Sequence, residues 1–191
     1  MSAPLMTADF SASFNLELIG KQMFAILRDE LNDEVQAVQG TWKTIDQQYG
    51  ILPTEVERIA DENFYHGHRP SLIDAPIENY PNCSVMAYSA TTQETDFDHE
   101  ERALVRVFVE LMCKSVTDEE EVNTRTQRTT DAVIRVVSKH PSLNGLVTEV
   151  ANTPQVDISD VFSRLEQSSS GPKWFWQGAR LEFAVQKYAG R

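Results

Sequence analysis

Apolar residues recur at Leu16, Ile19, Met23, Ile26, Leu27, Leu31 and Val35, three or four apart with one doublet. That spacing predicts a helix with a single apolar stripe over about residues 13–39. Ser13 can cap its start and Gly40 is the expected stop. Gly20 falls inside the pattern, where it costs ~1 kcal/mol relative to alanine. A glycine kept at that cost fits a close approach to another backbone. Residues 1–12 read as a flexible lead, and residues 13–191 as one domain.

From Cys83 onward the period changes to two. The run "CSVMAYSA" reads as a first core strand, followed by an acidic loop, "TTQETDFDHEER". In 103–115 the odd positions Ala103, Val105, Val107, Val109, Leu111 and Cys113 are all apolar. Arg106, Glu110 and Lys114 alternate on the other side with Leu104, Phe108 and Met112, so one face is core and the other half covered. Next comes "EEEVNTRTQRTTDAVIRVVSKHPSLNG", residues 119–145, a helix with Val122, Thr126, Thr129, Val133, Val136 and Val137 along one side. Thr117 and Glu120 have capping-box spacing, and Pro141 and Gly145 end it. "LVTEVA" and "PQVDISDVFSRLEQ" are strand material, with a phase slip near Asp160 that indicates a bulge or bend. The last strand lies in "WFWQGARLEFAVQKY", with Ala179, Leu181, Phe183 and Val185 on one face. The order is helix, two strands, helix, then two or three strands. It predicts an α+β fold, a mostly antiparallel sheet packed against two main helices.

The stretch between the first helix and the first strand, 40–82, has four prolines and little periodicity, and reads as a long loop. Within it "TEVERI" fits either a short strand or a helical turn capped by Thr54. Trp42, Phe64, Tyr65, Leu72, Ile73, Ile77 and Tyr80 anchor this stretch onto its own domain or another chain.

Charge sharpens this picture. The formal net charge is −12. Residues 1–102 hold six Lys/Arg against eighteen Asp/Glu, whereas residues 103–191 hold eleven of each. The first half therefore carries the whole acidic excess, which argues against a sequence-independent nucleic-acid binder and against adsorption to an anionic membrane. No run approaches the length of a membrane span, and the first residues lack the basic and apolar regions of an export signal. Cys83 and Cys113 each lie in an apolar run, as buried small residues would. Hydrophobic residues make up 41% of the chain, enough for a real core.

Candidate chemistry is sparse. His66 and His68 form His-x-His, and His99 beside Asp98 and Glu100 is a further donor, so a metal-dependent enzyme is one reading. A polar surface loop accounts for the same pattern. His140 at a helix end is explained by dipole and solvent. No nucleophile elbow, Walker A loop or dinucleotide fingerprint occurs. Paired carboxylates such as Asp96/Asp98 and Glu119–Glu121 fit a loop and a helix N-terminus. In Trp174–Phe175–Trp176, alternation puts the two tryptophans opposite Phe175. They are either covered by the 40–82 stretch or the first helix, or meet another subunit, where aromatics are enriched.

These segments together resemble a known family. "HRPSLIDAPIENYPNCSVMAYSA", "ALVRVFVELMCKS", the 119–145 helix and "DISDVFSRLEQSSSGPKWFWQGARLEFAVQKYA" are similar to the tail terminator (tail completion) proteins of siphovirus-type long-tailed bacteriophages. The most telling pieces are "EEVNTRTQRTTDAVIRVV" before "SLNG" and the closing "GPKWFWQGARLEFAVQKY". The resemblance covers roughly residues 68–190 and implies a structural virion protein, not an enzyme, with no cofactor and no metal. It implies a six-fold homo-oligomeric ring in the tail neck, assembled in the host cytoplasm, with the tail tube protein and the head–tail connector as partners. DNA would pass through its channel without specific binding. A head-completion or stopper protein is the neighbouring alternative. On that reading Arg125, Arg128, Arg135, Trp174 and Trp176 are expected at the subunit interface, the arginines against an acidic surface of the next copy. Asp96, Asp98, Glu100 and Glu101 are expected to face the channel or a partner.

Overall fold

The computed structural model describes residues 16–67, 77–94, 101–165 and 173–188. The expected flexible lead lies outside the described residues. Helix α1 spans Leu16–Gln48, and strand β1, Phe64–His66, follows a short 3-10 turn. Strands β2 (Asn82–Glu94) and β3 (Glu101–Ser115) precede helix α2, Glu119–Ser138. Three short strands, β4 (Glu149–Val150), β5 (Gln155–Ile158) and β6 (Phe162–Leu165), lead to the long β7, Lys173–Tyr188. The seven strands form one sheet in the order β1-β2-β3-β7, with β4, β5 and β6 successively along the far side of β7. Only β1–β2 is parallel. The expected α+β class is the one observed.

Period-two alternation sets the faces. Val105, Val107, Val109 and Leu111 of β3 are fully buried beside Leu181, Phe183 and Val185 of β7 and Cys83 and Val85 of β2. Helix α1 lies over β1 and β2, and α2 over β3 and β7. Ile19, Met23, Leu27 and Leu31 of α1 and Val133, Val136 and Val137 of α2 close this core. Each such side chain contributes about 1.5–3 kcal/mol by leaving water. Gly20 does sit at a close approach. A Cβ there would come within 3.4 Å of the Ala87 amide nitrogen and 3.3 Å of His66 Nε2.

Both helix ends differ from the expected ones. α1 runs through Gly40, because its buried face continues to Trp42 and to Asp46, which Arg128 neutralises. It stops at Gly50, whose φ of 68° lies in the left-handed region that favours a residue without a Cβ. The Gly50 amide donates to Gln47 O at 3.2 Å and the Ile51 amide to Asp46 O at 2.9 Å, the paired bonds of a Schellman end. At α2 the N-cap is Asp118 rather than Thr117, its Oδ1 accepting from the Glu121 amide at 2.7 Å. Ser115 Oγ bonds the Glu121 carboxylate and accepts from the Thr117 and Asp118 amides. The capping pair is therefore shifted by one residue. α2 ends at Ser138, before the expected Pro141 and Gly145, and Leu143, Asn144 and Gly145 take positive φ in the turn that follows.

"TEVERI" is neither strand nor helix. It is a segment without regular secondary structure fastened by side chains, with the Asn32 side-chain amide donating to Ile59 O and accepting from Ile59 N, both at 2.9 Å. The phase slip is a bulge. From Ile158 to Phe162 the edge advances four residues while β7 goes back three, from Ala179 to Trp176. One extra residue flips which side chains face the core.

Candidate functional site

The basic groups of α2 face α1 and the segment behind it. The Arg128 guanidinium pairs with Asp46, donates to Thr54 O at 2.7 Å and lies 5.6 Å over the Trp42 ring. Both partners of that pair are deeply buried, the side chains 11% and 6% exposed. Arg125 bonds Glu57 Oε1 at 2.6 Å, Glu121 Oε1 at 2.9 Å and Lys114 O at 2.8 Å. Further along, Lys139 pairs with Glu34, and His140 Nε2 lies 2.8 Å from Glu30 Oε1. A row of carboxylates from the acidic first half thus meets a row of bases from the second. The acidic surface expected opposite Arg125 and Arg128 belongs, in the structure, to their own chain. Arg135 differs: it is half exposed and held by Asp131 one turn earlier, which raises its pKa.

The tryptophans sit on the sheet face away from the helices. Trp174 is 3% exposed, packed with Tyr80 and Met112. Its ring meets Tyr80 edge-on at 5.2 Å, so the 40–82 stretch does cover it. Trp176 is half-buried and stacks on Phe162 at 4.4 Å. Beside that stack lies a cleft of about 380 Å³, lined by Met112, Phe162, Trp176, Gly178, Asp157 and Arg180 among others. Toward the middle of the same face, Phe108 stacks flat on Tyr88 at 3.9 Å, and Arg180 lies 4.8 Å from the Phe108 ring. Arg180 also pairs with Glu110, and Arg106 with Glu182. Cross-strand stacks and ion pairs of this kind knit β2, β3 and β7 together. No described helix covers this face.

One surface went unread in the sequence. Ile45, Tyr49, Ile51 and Leu52 are all exposed, Tyr49 at 76% and Leu52 at 87%. They project where α1 ends. The sequence signal that could have found them is the uncharged run "QQYGILPT" in a strongly acidic region.

The remaining candidates are quickly placed. Asp96, Asp98 and Glu100 lie outside the described residues, as do His68 and His99. Glu101 opens β3, its backbone in register with Glu94. His66 packs edge-on against Phe24 at 5.8 Å. Among the described residues no three metal-ligating side chains come together. Cys83 and Cys113 are free, buried thiols. Burial pushes the Cys83 pKa up to about 12, and raises that of Cys113. Among the described residues no helix is long and apolar enough to cross a membrane. A scan against protein-family models finds no match to this chain, and a search of curated proteins finds none either.

Proposed function

We propose that this chain is a structural protein of a phage neck, a tail terminator whose copies close into a ring between the tail tube and the head–tail connector. The observation that carries the reading is the sheet face that no described helix covers, with its half-covered aromatics and cleft, set opposite a helix layer that ends in exposed apolar residues. Large apolar groups left on two opposed surfaces favour association through those surfaces. A ring of identical copies needs two different patches on each copy, one receiving the other. The sequence resemblance over residues 68–190 supplies the particular setting.

On this reading the partners are further copies of the chain, the tail tube protein and the connector. DNA traverses the channel, and the acidic first half keeps it from adhering. The site of action is the virion neck, and the host cytoplasm during assembly. Depleting the protein during phage assembly tests this. The expected result is tail tubes of uncontrolled length that fail to join heads, seen by electron microscopy, with the chain found at the neck of complete particles. Complete particles that lack it would overturn the reading.

A further inference from the structure

The exposed apolar residues at the end of α1 form a firmly held projection. On one side Gly50 fixes the chain's exit from the helix through the Schellman bonds. On the other side Thr54 is fastened three ways: its amide to Asp46 Oδ2 at 3.2 Å, its carbonyl to Arg128 at 2.7 Å and to Gln39 Nε2 at 3.5 Å. Between these anchors, Ile51, Leu52 and Pro53 stand in solvent. The cost of ordering an aliphatic loop has therefore been met within the fold, and a surface that binds would gain from that. The cleft beside Trp176 is its counterpart. It is concave, floored by Met112, Phe162 and Trp176, and its volume lies near the low end of the ~300–1,000 Å³ typical of binding pockets.

We infer that the Ile51–Leu52 tab of one copy seats in the Phe162–Trp176 cleft of the next. Two observations favour a second copy over an unrelated partner. The tab belongs to the helix layer and the cleft to the opposite sheet face, so the contact is head-to-tail, as ring closure requires. Residues 47–54 hold no charge in a chain of net charge −12, so copies can approach there without like-charge repulsion. The inference deepens the ring reading by naming its contact surfaces.

The test is directional cross-linking of the full chain. Leu52→Cys and Asp157→Cys proteins are purified separately, mixed at high concentration and mildly oxidised. Both positions are exposed, and the native thiols are buried. The expected product is a mixed dimer far above what either protein forms alone, abolished when Phe162→Asp is added to the Asp157→Cys chain. Chains carrying both cysteines should give a covalent ladder. Self-dimers of the Leu52→Cys protein as abundant as mixed ones, or no product at all, would overturn the tab-and-cleft contact. The neck assignment is judged separately: a mixed dimer from a chain absent from the neck would sink that reading and leave the contact standing.

Discussion

Arg128 and Asp46 form the most deeply buried charge pair between the two helices. Removing one member of such a pair strands the other charge away from water. Arg128→Met should lower unfolding stability by roughly 3–5 kcal/mol in a urea titration. Adding Asp46→Asn should recover much of that loss, because the stranded carboxylate is then gone. Cys83 gives a prediction of opposite origin. Its pKa rises from 9.0 to about 12 because burial disfavours the thiolate. The folded state therefore keeps the proton while the unfolded chain releases it. The thiol's contribution is fully present below pH 9 and declines as pH rises from there toward 12. Stability measured against pH should bend downward above 9, and Cys83→Ala should lessen that slope while lowering stability at neutral pH. Cys83 should also resist thiol reagents until the protein unfolds.

The elements show how one residue type can act in opposite ways. Gly40 lies inside α1, exposed, with open space around an added Cβ. Gly40→Ala should stabilise the protein by about 0.8–1 kcal/mol through helix propensity alone. Gly50 ends the same helix in the left-handed region, and Gly50→Ala should destabilise by about 1–2 kcal/mol. Thermal melts of the pair would move in opposite directions. The same logic explains the broken edge beside β7. β5 and β6 stay paired to one continuous strand, yet one inserted residue between them reverses which side chains face inward. The slip near Asp160 is visible in the sequence because apolar residues recur two apart on either side of it, at Val156 and Ile158 and again from Val161, although β5 itself is exposed.

Across the whole molecule, the charge asymmetry between the halves has an internal use. Glu30, Glu34, Asp46 and Glu57 from the acidic half meet His140, Lys139, Arg128 and Arg125 from the other. Reversing Arg125 and Arg128 to Glu should therefore lower the melting midpoint before any effect on association can be read. Arg135→Glu should shift stability by no more than about 0.5 kcal/mol, since that residue is exposed and its ion pair with Asp131 is local to the helix. It is the arginine whose reversal isolates association, measured by sedimentation velocity at matched melting midpoint. The apolar surplus is distributed differently from the charge, on the tab and on the sheet face that no described helix covers.

The hydrophobic periods alone determined the two helices, the long strands, the inward-facing residues and the bulge. Periodicity is a property of local backbone geometry, so each segment declares its own buried side. Tertiary structure decided which arginine meets which carboxylate, since a charge has a sign in the sequence but no address. It also decided that α1 passes Gly40, because the stripe's extension through Trp42 and Asp46 makes sense only with Arg128 opposite. The same holds for Trp174, whose cover, Tyr80, lies far away along the chain. The tab emerged last of all. Ile51 and Leu52 look like ordinary core residues until the fold leaves them exposed, with none of the described residues lying over them.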